Sequence, residues 1–323
     1  FVFIRQLKKT GVGIIYISHR LDEVFQCCDS YTVLCDGCLN GSGRVADINK
    51  DQLIKMIIGR ELTNVYPPIN ENLGDVLLEV RDLTAPKAFR NVNLNVRAGE
   101  VVGLAGLLGA GKTELVQAIF GSHKITSGEI YYKGKRVHYK APFQSIRDGF
   151  GLVPDERRSL GLDMVFDIKD NTILPSMKLF RKWGIFQDHE AEKRAAYDIS
   201  SKMNLKYYSL YQNVRKLSGG MKRKLMVCRA LLTEPEILLL DEPTAGLDPK
   251  GRDEILDQVK LLHEKTGMTV ILVSHSMEDV AKYVERLIVM NDGEKMLDGT
   301  PEEVFRHYKE LEAVGLAAPQ VTY

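Results

Sequence analysis

The sequence predicts an α/β fold with a mostly parallel sheet, an antiparallel β-subdomain and a helical subdomain. Three observations predict it. A glycine-rich loop, Gly106-Leu107-Leu108-Gly109-Ala110-Gly111-Lys112-Thr113, follows a strand-like run (Glu100 to Ala105) and precedes a helix-like run (Glu114 to Phe120). A continuous apolar run, Ile237-Leu238-Leu239-Leu240, ends in Asp241-Glu242, as a buried parallel strand does. Val76 to Leu83 and Asn91 to Val96 alternate like strands, and Gly128 to Lys140 reads as a hairpin turning at Lys133-Gly134. Helical character marks Glu190 to Met203 and Lys222 to Leu232, and Thr300-Pro301-Glu302-Glu303 is a capping box that starts a further helix.

Composition bounds the class. The chain has 323 residues, 44% apolar and 27% charged, which suits one large or two modest globular domains. Its formal net charge of +1 gives no basic field of the kind that drives nucleic-acid binding. Cys27, Cys28, Cys35, Cys38 and Cys228 are odd in number and irregular in spacing, which fits a reducing compartment better than a disulfide framework. No apolar run reaches the ~18 residues that a spanning helix needs, and no signal peptide is evident. The chain opens on Phe1 without Met, so a missing N-terminal segment is expected.

An internal repeat organises the chain. Ile15-Tyr16-Ile17-Ser18-His19 matches Ile271-Leu272-Val273-Ser274-His275, and Asp36-Gly37 matches Asp292-Gly293; both pairs are 256 residues apart (275 − 19 and 293 − 37). Each copy reads as strand, His, amphipathic helix, strand and turn. Residues 1–66 therefore read as the end of a first domain, 67–74 as a turn-rich linker, 75–308 as a complete domain and 309–323 as a tail.

The motifs define a chemistry. The G-x-x-x-x-G-K-T loop sits in the strand–loop–helix context in which backbone N–H groups converge on phosphate oxygens, which makes this a P-loop NTPase core. Lys112 is expected on the β/γ-phosphates and the Thr113 hydroxyl on Mg²⁺. Asp241 is expected to hold the Mg²⁺ shell and Glu242 to act as general base toward the attacking water. Leu217-Ser218-Gly219-Gly220 opens the helix from Lys222, 106 residues after Lys112 and 23 before Asp241 (218 − 112 and 241 − 218).

With that placement the chain resembles the ABC ATPase family over residues 75 to about 300. Leu217 to Gly220 resembles its LSGG signature, Ala245-Gly246-Leu247-Asp248 its D-loop, and His275 its switch histidine. The resemblance implies ATP and Mg²⁺ as ligands and a head-to-tail dimer, in which Ser218, Gly219, Gly220 and Asp248 act in trans on a partner's ATP. It implies a second ABC ATPase domain in the same or another chain, a transmembrane permease, an extracytoplasmic substrate-binding protein, and a peripheral place on the cytoplasmic face of the plasma membrane.

Gly59 to Pro67, the phosphate loop and Val153 to Leu162 look like the tandem ATPases of bacterial monosaccharide and nucleoside importers. There Asp155 falls where the family's Q-loop carries Gln, so a role for Asp155 at Mg²⁺ is the weakest of the ligand assignments. Asp241 to Gly251, Ser274 to Val280 and the tail look like energy-coupling-factor ATPases for vitamins and metal ions. The chain reads as two importer styles meeting near residue 217. A soluble ATPase acting on DNA or ribosomes is disfavoured by the charge balance.

Most of the weaker features have two readings. Cys35-Asp36-Gly37-Cys38 is either a metal knuckle or a hairpin turn, the repeat favouring the turn. Phe89 stacks on adenine or packs in the core. Trp183, Phe180 and Phe186 pack in the core or dock a permease. Met221-Lys222-Arg223-Lys224 reads as a solvated helix face.

Overall fold

The computed structural model describes residues 1–18, 21–35, 38–49, 52–53, 56, 67, 73–156, 161–182 and 186–316. His19, Asp36-Gly37, Gly59 to Tyr66, most of the expected linker, Arg157 to Leu160, Trp183 and the tail past Leu316 lie outside the described residues. The chain divides into two compact units, residues 1–65 and 66–323.

The first unit carries helices α1 (Val2–Lys9) and α2 (Leu21–Cys27), then an antiparallel hairpin of β1 (Ser30–Cys35) and β2 (Cys38–Arg44). Cys35 and Cys38 are register partners across that hairpin. Among the described residues no group of three or more His, Cys, Asp or Glu is placed to hold a metal ion. The repeat is only partly realised. Its helix and following strand form, but the expected strand at Ile15 to Ile17 does not, and Ile15 and Ile17 are each 93% exposed. The physical reason is pairing: a strand exists only where neighbours take its N–H and C=O groups, and among the described residues β1 and β2 pair only with each other.

The second unit begins with β3 (Val76–Ala85), β4 (Phe89–Arg97) and β5 (Val101–Ala105), then α3 (Lys112–Phe120). The hairpin β6 (Ser127–Tyr132) and β7 (Lys135–Val137) follows, then α4 (Pro142–Arg147) and β8 (Phe150–Val153). A helical stretch comes next: α5 (Ile168–Ile173), the short hairpin β9 (Arg181–Lys182) and β10 (Phe186–Gln187), α6 (His189–Lys202) and α7 (Gly219–Leu231). The chain then returns to the sheet through β11 (Ile237–Asp241), α8 (Pro249–Thr266), β12 (Thr269–Ser274), α9 (Met277–Tyr283), β13 (Arg286–Asn291) and β14 (Glu294–Gly299). Helices α10 (Pro301–Arg306) and α11 (Tyr308–Ala313) close it, and α10 opens on the expected capping box at Thr300 and Glu303.

Six strands form one sheet in the order β14-β13-β5-β12-β11-β8, parallel throughout except for β14. Four form an antiparallel sheet, β4-β3-β6-β7. Two hydrophobic clusters flank the parallel sheet. Ile237 and Leu239 of β11, with Ile271 and Val273 of β12, join the cluster shared with α3 and the antiparallel sheet. Leu238 and Leu240, with Val270 and Leu272, join the cluster shared with α6 to α9. Strand side chains alternate in direction, so burial on both faces turns a period of two into an unbroken apolar run.

One open reading closes here and one expectation changes. Phe89 is 3% exposed and packs among the antiparallel-sheet residues, so its core reading holds and adenine stacking does not. The basic run on α7 is not a solvated face: Arg223 is 1% exposed and buried Lys224 pairs with Glu254 at 2.9 Å. Helix α7 packs on helices and sheet together, so its buried stripe is too wide for those positions to reach water. Phe180 packs on the second cluster, whereas Phe186 is exposed.

Leu239 is fully buried between the sheets. Leu239→Ala is expected to destabilise the second unit by about 3 kcal/mol, read as an earlier midpoint in urea denaturation.

Candidate active site

Four neighbouring parallel strands deliver the chemistry-bearing residues. In register, Ser274 of β12 lies beside Ala105 of β5, Asp241 of β11 beside Val273 of β12, and Leu240 beside Val153 of β8. The four carboxyl ends are therefore level. The phosphate loop leaves β5, the acids end β11, His275 follows β12 and Asp155 follows β8. Ligand sites of open α/β sheets lie at such ends.

The loop requires its glycines by contact. At Gly111, φ is +87° and an added Cβ would lie 2.4 Å from the Ala88 carbonyl oxygen; at Gly106 it would lie 2.3 Å from that of Met290. Helix α3 starts immediately afterwards at Lys112, so its unpaired N–H groups face the loop. The Lys112 side chain is buried and its Nζ donates to the carbonyls of Gly106 and Leu107, the latter at 2.9 Å. Burial lowers the Lys112 pKa, and the nearby Glu242 and Asp241 oppose that shift.

The Thr113 hydroxyl donates to Asp241 Oδ1 at 2.9 Å. Asp241 Oδ2 is buried and has no hydrogen-bond partner among the described residues. Burial pushes the Asp241 carboxyl up to about 6, against the Thr113 hydrogen bond and with the charges of Asp155 and Glu242 adding to the rise. A hard divalent cation takes oxygen ligands and keeps several waters when it also binds phosphates. The Thr113 hydroxyl and the orphaned Asp241 oxygen are donors of that kind, so these residues fit Mg²⁺.

Glu242 follows β11 with φ +47°, a left-handed conformation uncommon outside glycine. Its amide donates to the Val273 carbonyl at 3.0 Å and its own carbonyl accepts from the Ala245 amide at 3.1 Å. This tight turn aims the carboxylate at His275, whose Nδ1 lies 2.8 Å from Glu242 Oε2. Burial raises the Glu242 pKa, while His275 and Lys112 lower it.

Asp155 joins this acid group. Its charge raises the pKa of both Asp241 and Glu242, and its side chain remains about half exposed. Other expected residues stand apart. Ser218 is exposed and caps α7, its Oγ accepting from the Met221 amide at 3.3 Å. Gly219 and Gly220 form the first turn of that helix, and Asp248 is the exposed cap residue of α8. Among the described residues neither Ser218 nor Asp248 bonds to the phosphate loop or to the acids.

Sequence reasoning missed Arg223. Its Nη1 donates to the Pro154 carbonyl at 3.0 Å and the Asp155 carbonyl at 2.7 Å, and its Nη2 reaches Asp155 Oδ1 at 3.5 Å. A signal was available: Val227 and Ala230 follow at i+4 and i+7, which puts Arg223 on an apolar stripe.

The Asp241 carboxyl sets a pH dependence. Its folded value of about 6 exceeds the ordinary 3.8, so the folded state favours its neutral form. Its ionisation weakens the ligand-free fold as pH rises from about 4 through 6. Asp241→Asn is therefore expected to be more stable than the unaltered chain at pH 7, by about 3 kcal/mol, with the gap closing toward pH 4. Melting temperatures across that range check it, and a gap independent of pH contradicts it.

An ABC transporter family model matches residues 89–245. The ribose import ATP-binding protein RbsA of Caldanaerobacter subterraneus subsp. tengcongensis is 37% identical over 315 residues, covering 98% of this chain and 63% of the relative. The galactose/methyl galactoside import ATP-binding protein MglA 1 of Photobacterium profundum is 36% identical, over 91% of this chain and 59% of its own length. The chain thus spans less than two thirds of the curated relatives it matches. Among solved structures, a dimeric ATP-binding cassette in a post-hydrolysis state with ADP and Pi matches at TM-score 0.61 and 28% identity, over 70% of this chain and 99% of that one. The cbiO1 protein of Clostridium perfringens, part of the ABC transporter complex cbiONQ, matches at TM-score 0.61 and 26% identity, over 77% of this chain and 98% of its own.

Proposed function

We propose, from the premise that this chain carries an ABC transporter ATPase domain, that it hydrolyses ATP to drive import of a monosaccharide or nucleoside. The observation that carries the reading is the convergence of Lys112, Thr113, Asp241, Glu242 and His275 at level strand ends. The sugar branch is favoured over the vitamin and metal-ion branch by relatives named for ribose and galactose import. The RbsA match extends over 98% of the chain, so it is not confined to the part before residue 217.

Each residue then has a task. Backbone amides of Gly106 to Thr113 and the Lys112 ammonium hold the β- and γ-phosphates. Thr113 and Asp241 would hold Mg²⁺, which would supply charge neutralisation at the phosphate oxygens. Glu242 takes a proton from the water that attacks the γ-phosphate, and its raised pKa makes it a stronger base than an exposed carboxylate. His275 orients that carboxylate through their hydrogen bond.

Ser218 to Gly220 and Asp248 act in this reading on ATP held by a second ABC ATPase domain, in the same or another chain. The exposure of Ser218 at the start of α7 and the dimeric solved relative support it. Among the described residues no helix is long and apolar enough to cross a membrane. The motor is proposed to sit against a separate permease at the cytoplasmic face of the membrane, supplied by an extracytoplasmic binding protein.

Glu242→Gln is expected to retain ATP binding while phosphate release falls at least about a hundredfold, with an ATP-bound dimer accumulating on size exclusion. Turnover at the unaltered rate would remove Glu242 from the base role. Lys112→Ala is expected to abolish binding of a fluorescent ATP analogue, and unchanged affinity would refute the phosphate-loop assignment.

A further inference from the structure

Arg223 is a large cation with almost no solvent. A buried guanidinium is costly unless its charge is paired and its N–H groups are bonded. The segment that leaves β8 meets this need at the two terminal nitrogens, while Nε is buried without a hydrogen-bond partner among the described residues. One terminal nitrogen of Arg223 bonds the carbonyls of both Pro154 and Asp155, and the other reaches the Asp155 carboxylate. The same helix also bonds Gly161, whose carbonyl accepts from Arg229 Nη1 at 2.6 Å. Helix α7, whose first turn carries Gly219 and Gly220, is thus bonded to Pro154, Asp155 and Gly161.

Asp155 lies two residues past Val153, the residue of β8 beside Leu240 of β11, so it stands at the same sheet edge as the acids that end β11. Its charge raises the pKa of Asp241 and Glu242, and Thr113 ties Asp241 to the phosphate loop. Arg223 approaches from the helix side as a countercharge, held by its bonds to the Pro154 and Asp155 carbonyls. An uncompensated Asp155 would add negative charge where nucleotide phosphates must enter, and a like charge there opposes them.

We propose that Arg223 is a positioning residue for the nucleotide site: it pins Asp155 and balances its charge, so that helix α7 is linked through Asp155 to the Asp241–Glu242 corner. This inference rests on the ATP reading above. The test is a double-mutant cycle in the full chain, titrated with a fluorescent ATP analogue in the presence of Mg²⁺. Arg223→Gln is expected to weaken binding roughly tenfold, and Asp155→Asn in that background to restore most of the loss. Losses that simply add would overturn the proposal, because a role in packing alone is blind to the charge at position 155. Arg223→Lys keeps the cation but not the fork of donors, and covers the case in which the Gln variant does not fold; its affinity is expected to lie between those of the Gln variant and the unaltered chain. A tenfold loss there would assign the effect to guanidinium packing and overturn the proposal. Absence of binding by the unaltered chain would instead refute the ATP reading itself.

Discussion

The structure of the second unit depends on the register of four parallel strands buried on both faces. Each of β5, β12 and β11 sends alternate side chains into two different hydrophobic clusters. A slip of one residue would exchange the two sets across the sheet. The same register that satisfies packing also levels the strand ends. The candidate site is assembled by that levelling, since its residues come from segments far apart in sequence and meet only there.

Charge accumulates where the sheet stops. Asp241 is wholly buried and Glu242 nearly so, with Lys112 sunk between them and the loop. Burial alone would neutralise all three groups. Mutual attraction, the Thr113 hydroxyl and the His275 contact oppose it. Arg223 adds a further cation from the helical side. The corner is therefore a set of coupled charges, in which removing one group alters the environment of the rest.

Much of this was legible in the sequence, and for identifiable reasons. Gly106 to Thr113 and Ile237 to Glu242 encode local geometry, a phosphate loop and a doubly buried strand, and each is readable from adjacent residues. The capping box at Thr300 is local in the same way. What escaped was non-local. Arg223 looks solvated until Pro154 and Asp155 are brought beside it across the fold. Phe89 looks available to a base until the antiparallel sheet closes over it. Ile15 to Ile17 has the pattern of a strand, yet pattern cannot supply the neighbours that its counterpart at Ile271 to Val273 has on both sides.

The left-handed backbone of Glu242 has a consequence for how such a sequence persists. A residue with φ +47° is strained unless it is glycine, and the acid before it is buried with one oxygen unbonded. Both positions would give a more stable fold with other side chains. Selection for folding alone would therefore not keep Asp241-Glu242, and a redesign scored on stability would be free to replace the pair. Two adjacent residues that the fold itself disfavours are, on that account, a record of a demand other than folding.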